Sequence, residues 1–265
     1  LACARARLNF QEGRPAAAID DLAATMTLGR HLATDGVLVS VLVDYAIERL
    51  AIETAARHLG DLQPAQLQEF AARLHRLPAA TTMHRAMETE KECLLEPFIR
   101  DLSGPEGKEK AMSLLKSLGD EQDPNRKALR DFSREQLLEG LTALRPLYDR
   151  IAAMMDRPPA EMQSVETLLA EMNPVARALG MGLLPAAVAC RTNEVAHQTR
   201  LAMLKAALAV VRGGPEQLKA EGFKDPYAGG PFSYEKTAAG FRLTSKTKDR
   251  DGKAIVLEVG RTASK

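Results

Sequence analysis

Up to Gly213-Gly214-Pro215 the apolar residues of this chain recur at helical spacing, and beyond that point they alternate with polar ones. The first period belongs to amphipathic helices and the second to half-buried strands. The expected fold is therefore mainly α. A helical body over residues 1–213, either a bundle or a set of tetratricopeptide-like hairpins, is followed by a small antiparallel three-stranded β meander over residues 214–265. Aromatic residues make up 4% of the chain and tryptophan is absent, so Ala and Leu must fill the core. Both are strong helix formers and poor liners of a large sheet.

Prolines and glycines punctuate the helical part. Glu12-Gly13-Arg14-Pro15 separates two apolar segments, with Pro15 suited to a first helical turn and Gly13 to a helix end. Ala6, Ala18, Ile19 and Leu22 fall where the two helices of one tetratricopeptide unit would pack, although no 34-residue period follows. Residues 37–59 form the most apolar segment, with a narrow polar strip at Ser40, Asp44 and Glu48; this predicts a central helix. Further helices are expected over 64–75 and over 81–102. The second of these has Met83, Met87, Leu94, Phe98 and Leu102 near one face and a kink at Pro97. A short helix is expected over 106–118, in the most loop-like stretch, and a capped one from Ser133 to about Met155 with a break at Pro146. Asn173-Pro174 opens a long stretch to Arg212, interrupted around Gly180, Gly182 and Pro185, where Gly180-x-Gly182 marks a kink or a close helix crossing. In the tail, Phe232 and Tyr234, Phe241 and Leu243, and Ile255, Leu257 and Val259 are the inward residues of three strands. Gly240 and Asp249-Arg250-Asp251-Gly252 form the turns. Such a meander needs a support, and the long helix before it is the expected one.

Lys plus Arg (36) nearly balances Asp plus Glu (35), which argues against nucleic acid as a partner. Cys3, Cys93 and Cys190 have no paired spacing and are expected as small buried residues, with one long-range disulfide as the alternative. No apolar run reaches the about 20 residues that a membrane span requires. The chain opens on Leu1 rather than Met, so an upstream signal peptide or anchor is expected, and any membrane association would run through it.

One stretch carries a resemblance. Asp225-Pro226-Tyr227-Ala228-Gly229-Gly230-Pro231-Phe232-Ser233-Tyr234, followed by Gly240-Phe241-Arg242-Leu243-Thr244-Ser245, resembles the C-terminal segment of type II secretion pseudopilins. In that family Asp-Pro-aromatic-x-Gly-x-Pro-x-x-Tyr and Gly-Phe-x-aliphatic-x-Ser follow a long helix. The organisation of the whole chain is also similar to that of uncharacterised helical proteins of the bacterial envelope. The resemblance implies an envelope or extracytoplasmic location, with the cytoplasm as the alternative, and a calcium site in a late loop, for which Asp249 and Asp251 occupy a comparable turn. In physical terms Asp225-Pro226 and Gly229-Gly230 make a rigid corner, after which the aromatic pair plugs the sheet onto the helix.

Candidate chemistry is sparse. Glu194-x-x-His197 is half of the motif that di-iron bundles use twice, and otherwise a surface ion pair on a helix. His84, Glu88 and Glu92 share a helix face and offer one nitrogen and two carboxylates to a transition metal, or simply a solvated charged face. Asp44 and Glu48 need partners if buried, and Arg30 or Arg57 is the expected one; lining a groove is the alternative. His31, His58 and His75 fall at helix C-termini, where the dipole accounts for them. Nucleophile elbows, phosphate loops and zinc-protease motifs are absent from the sequence. No cofactor is expected, with Ca²⁺ or a transition metal as the exceptions. The expected function is a non-catalytic interaction or scaffolding protein that binds a peptide or protein partner at the bacterial envelope. Two other classes remain open: a metal-dependent enzyme or hydrolase built around Asp44, Glu48, His84 or Glu194, and a structural part of a secretion apparatus.

Overall fold

The computed structural model describes residues 1–105, 107, 109, 132–184, 186–220 and 223–260. Its helices are α1 (Ala2–Gln11), α2 (Pro15–Leu32), α3 (Leu38–His58), α4 (Pro64–His75), α5 (Met83–Glu90), α6 (Glu96–Ser103), α7 (Arg134–Met154), α8 (Val165–Ala170), α9 (Pro174–Leu183), α10 (Ala187–Gly213) and α11 (Gln217–Ala220). They are followed by β1 (Ser233–Thr237), β2 (Gly240–Lys248) and β3 (Ala254–Gly260), paired antiparallel in sequence order. The mainly α class with a C-terminal meander is thus the fold. The expected helix over 106–118 lies almost wholly outside the described residues.

Two compact units divide the chain, along lines other than 1–213 and 214–265. One holds Leu1–Asp35, Val39–Thr81 and Thr192–Lys265; the other holds Gly36–Leu38 and Thr82–Arg191. The first unit unites the chain's two ends because the meander has no core of its own. Phe241, Leu243, Ile255, Leu257 and Val259 on its inner face belong to one buried cluster with Met203, Leu204 and Ala207 of α10, Leu59 and Phe70, and the α1–α2 hairpin residues Ala6, Ala18, Ile19 and Leu22. That hairpin turns at Gly13, whose φ of 71° is the left-handed conformation glycine adopts without strain. Of the two aromatics expected to plug the sheet, Phe232 enters the core. Tyr234 stays partly exposed on edge strand β1 and lays its ring 5.3 Å from that of Phe241.

The corner before β1 is built on Asp225. Its Oδ1 accepts the N–H groups of Tyr227 (3.1 Å) and Ala228 (3.0 Å) and the Thr247 hydroxyl (3.0 Å), while the Ser245 hydroxyl donates to Oδ2. The Asp225 N–H reaches the Gly230 carbonyl and the Gly229 N–H the Asp225 carbonyl, which closes the turn. The aspartate that opens the corner and the serine that ends the second motif are therefore one hydrogen-bonded pair across 20 residues.

In the second unit, Ser133 caps α7 in a reciprocal box with Gln136, and Pro146 is carried inside the helix without breaking it. Gly140 and Gly180 mark close crossings. A Cβ on Gly140 would meet Val175 at 2.8 Å and Leu179 at 3.0 Å, and one on Gly180 would meet Leu169 at 2.4 Å. The interruption after Gly180 is real, since α9 ends at Leu183 and α10 begins at Ala187. The kink expected at Pro97 takes another form. Residues Lys91–Leu95 make a π turn in which the Glu96 N–H reaches back to the Lys91 carbonyl. Pro97 lacks the N–H that would have continued the α pattern to the Cys93 carbonyl, and the chain absorbs this as one extra residue in the preceding turn. The slip has a visible consequence: Leu95 rather than Leu94 is buried with Met87, Phe98 and Leu102.

The cysteines are all free; Cys190 is buried, Cys3 is half-buried and Cys93 is exposed, against the expectation that all three are internal. The outward position of Cys93 follows from its place in the same π turn. Burial, and secondarily Glu90, push the Cys190 thiol up to about 11, so it stays protonated and inert.

Helix α3 buries its acids, one of them against the expected Arg30, but leaves part of its apolar surface outside. Its strip of acids faces inward, Asp44 and Glu48 both at 0% exposure, while Val39 (66%), Val43 (39%) and Leu50 (54%) face outward. The partners of Glu48 offset the cost of leaving three aliphatic side chains in water.

Candidate functional site

The inward strip of α3 lies in the first unit and meets charged groups from two other helices. Arg30, in the last turn of α2, donates from Nε to Glu48 Oε1 and from Nη2 to Glu48 Oε2 at 3.3 Å. Its third nitrogen, Nη1, donates to the Pro78 carbonyl at 2.6 Å. Arg30 is 7% exposed, and each of its three guanidinium nitrogens has a partner within the protein. From α10, His197 Nε2 lies 3.2 Å from Glu48 Oε2. A carboxylate only accepts, so the imidazole proton sits on Nε2.

Tyr45 completes the cluster. Its ring stacks on that of His197, with centroids 4.5 Å apart and planes 9° from parallel. The phenol O–H is within 3.1 Å of the Thr81 carbonyl and 3.5 Å of Glu194 Oε1. Burial, then the Glu194 charge, push this phenol far up, and it remains a neutral donor. Glu194 and His197, expected as a surface pair, are instead 2% and 3% exposed, and each turns to a different partner on α3. The helix spacing is as expected; the face of α10 that carries it is the inner one.

Glu48 and Asp44 sit one helical turn apart and differ in environment. Burial alone would raise Glu48, but hydrogen bonds from His197 and Arg30 outweigh it and hold this carboxyl below its ordinary range. Asp44 is pushed up to about 6, first by burial and then by the charge of Glu48, against the attraction of His197 and Arg30. Among the described residues neither Asp44 oxygen has a hydrogen-bond partner, and neither does His197 Nδ1. Asp44 packs onto the bare backbone of Gly29, where a Cβ would stand 2.4 Å from Oδ1. That contact explains a glycine inside the last turns of α2.

Chemically the cluster is a buried clamp of two carboxylates, one guanidinium and one imidazole. No nucleophile is bonded to the His197 imidazole, and among the described residues no group of three His, Cys, Asp or Glu side chains is arranged to hold a metal ion. The other metal candidates lie elsewhere. His84 pairs with Asp156 (2.9 Å) and stands 3.7 Å from Glu88, while Arg85 reaches both Glu88 and Glu92. That arrangement is a partly exposed ion-pair face. Asp249 Oδ1 accepts the N–H groups of Asp251 and Lys253, both at 3.0 Å, which is the work of a turn-forming aspartate; the Asp251 side chain is exposed.

A second feature adjoins the cluster. After α4 the chain runs along α2 as a strap, residues 77–81, with no helical or strand pairing of its own. Between α2 and the end of α4 with the start of this strap lies an open groove of about 460 Å³, lined by Ala23, Ala24, Leu28, His31, Arg76 and Leu77 among others. Arg73 and Asp20 on its wall neutralise one another at 2.6 Å, and Arg73 also holds Glu69. Arg76 is exposed and has no ion-pair partner among the described residues. His31 was accounted for by its helix end, and neither Arg76 nor Tyr45 stands out in the sequence; in a chain this poor in aromatics, a tyrosine beside the buried acid Asp44 was the available signal.

Comparison with known proteins returned no family model, no curated protein and no solved structure that matches this chain.

Proposed function

We propose that this protein is a non-catalytic interaction protein whose groove beside α2 takes a peptide segment of a protein partner, one that combines apolar side chains with a carboxylate. The observation that carries this reading is the groove itself: an apolar floor of Ala23, Ala24, Leu28 and Leu77, with unspent positive charge at the rim on Arg76. Leu28 is 65% exposed, an uncommon cost for an aliphatic side chain beside a concave surface. A carboxylate opposite Arg76 gains a charge-assisted hydrogen bond, and an apolar neighbour covers Leu28. The likeness of the tail to pseudopilins supports an envelope location.

The enzyme reading has less support. Asp44, Glu48 and Glu194 do gather in one cluster, but they are sealed from solvent, and His84 is paired with Asp156.

A peptide-display selection on the intact protein tests the proposal. Selected peptides should be rich in Asp or Glu next to Leu, Ile or Phe. Arg76→Glu and Leu28→Asp should each weaken them at least about tenfold, equivalent to about 1.4 kcal/mol, with unchanged circular dichroism. Peptides that bind both variants as well as the parent, or a selection that enriches nothing, would refute it.

A further inference from the structure

Three hydrogen bonds fasten the strap: Arg30 Nη1 to the Pro78 carbonyl (2.6 Å), the Thr81 hydroxyl to the Ala33 carbonyl (2.7 Å), and the Tyr45 hydroxyl to the Thr81 carbonyl (3.1 Å). Two of the three donors are members of the buried cluster. We infer that the cluster is a proton-operated latch: Arg30 and Tyr45 hold the strap along α2 while Asp44 carries a proton, and ionisation of Asp44 releases it and widens the groove. This is a regulation of the groove proposed above and rests on that reading for its biological sense.

The argument starts from Asp44, fully buried with both oxygens unpartnered. The groups that face it are Arg30 from α2, Glu48 and Tyr45 from α3, and His197 from α10; behind Tyr45 stand Glu194 and Tyr227. With Asp44 neutral, Glu48 and Arg30 balance each other and each of the three guanidinium nitrogens is bonded. With Asp44 ionised, two carboxylates one turn apart draw on the Arg30 guanidinium and the His197 imidazole, both already bonded to Glu48, and the second charge has no hydrogen bond. A buried carboxylate in that state is strongly unfavourable unless water reaches it. Helices α2, α3 and α10 are held by the core cluster, whereas the strap is half-buried and has only Leu77 packed on that cluster beside its three hydrogen bonds. Arg30 and Tyr45, the neighbours of Asp44, are also the groups that hold the strap, so the strap is the segment whose displacement would admit water to Asp44. Because burial and Glu48 push the Asp44 carboxyl up to about 6, the open fraction changes between its ordinary carboxylate value and about pH 6 and levels off above that.

Opening exposes Asp44 to solvent and returns it to an ordinary carboxylate, so the open fraction rises with pH, roughly tenfold between pH 5 and 8 by linkage. A thiol trap measures this without any peptide. Ala33, fully buried where Thr81 binds its carbonyl, becomes Cys in a protein with Cys3 and Cys93 replaced by Ser; Ala18→Cys, in the core of the α1–α2 hairpin, reports global unfolding. Corrected for thiolate fraction, labelling at position 33 should rise roughly tenfold from pH 5 to 8 and exceed that at 18. Asp44→Asn should abolish the rise, and Arg30→Lys, which cannot span Glu48 and Pro78 together, should label fast at both pH values. The latch is wrong if labelling at 33 is flat with pH, if Asp44→Asn keeps the rise, or if positions 18 and 33 label at equal rates. Since no peptide enters the assay, a groove that binds nothing would leave these outcomes intact, and a failed latch would leave the binding experiment intact.

Discussion

Asp225 shows how much a single side chain can organise. Burial works against its charge, but four hydrogen bonds, from Ser245, the Tyr227 and Ala228 amides and Thr247, prevail and hold the carboxyl below its ordinary range. A lowered folded-state value means that the stabilisation is fully present above the ordinary carboxylate value and is lost as pH falls through the lower, folded one. Asp225→Ala should cost about 2–4 kcal/mol, because it strands two backbone amides and two hydroxyls at once. Urea unfolding at pH 7 measures that loss, which should shrink towards pH 2–3. Ser245→Ala removes one bond and should cost about 1 kcal/mol. The corner was legible in the sequence as a turn through Asp225-Pro226 and Gly229-Gly230. The role of Ser245 was not, because the hydrogen bond spans 20 residues and only the bulged course of β2 between Thr244 and Lys248 brings the hydroxyl into place. The same contrast holds at the cluster. Asp44, Glu48, Glu194 and His197 each stood out by spacing, and Arg30 as a partner, but the contact of Tyr45 with Glu194 joins residues 149 apart and depends on helix packing that no local pattern records.

At the scale of elements, boundaries marked by proline or a capping side chain came through closely. Pro15, Pro64, Ser133 and Asn173-Pro174 open α2, α4, α7 and α9 at or beside the expected positions, since each acts within one turn of itself. What one residue's chemistry hides is register and face. The π turn at Lys91–Leu95 shifts the inward residue from Leu94 to Leu95 while leaving a helical pattern on both sides, and α3 turns its acids inward although apolar residues cover most of its circumference. The crossing of α7 with α9 offers a test at this scale. Gly140 faces Val175 and Leu179 and the backbone nitrogen of Ala176, the last only 3.2 Å from a would-be Cβ, so a methyl there cannot be accommodated by rotating one side chain. Gly140→Ala should therefore destabilise the protein by about 1–3 kcal/mol despite its better helix propensity. Gly182, whose Cβ would meet nothing within 4 Å, is the control, and its alanine variant should be neutral or slightly stabilising. Paired thermal melts followed at 222 nm would decide between them; equal melting temperatures for the two variants would deny the close crossing.

For the molecule as a whole, the buried carboxyls pull the stability profile in opposite directions. Glu48 and Asp225 are held low, so their contributions are complete near neutral pH and fade only as acid protonates them below the ordinary carboxylate range. Asp44 is held high, at about 6 against an ordinary value near 3.8, so folding is favoured most while it is protonated and loses ground as pH rises through that interval. Together these place the stability maximum at about pH 4 to 5, more acid than the balanced overall charge of the chain would suggest. Asp44→Asn keeps the shape of the protonated acid and removes its titration. The variant should exceed the parent by a margin that grows from pH 4 to about 6 and is constant from there to pH 8, the gain arising from the charge it no longer carries. For a chain of this size each kcal/mol moves the midpoint by about 2–4 °C, so calorimetry across pH 4–8 resolves the effect. Parent and variant curves that stay parallel over that range would mean that Asp44 is charged in both limits, and that the orphaned carboxylate finds its compensation elsewhere in the cluster.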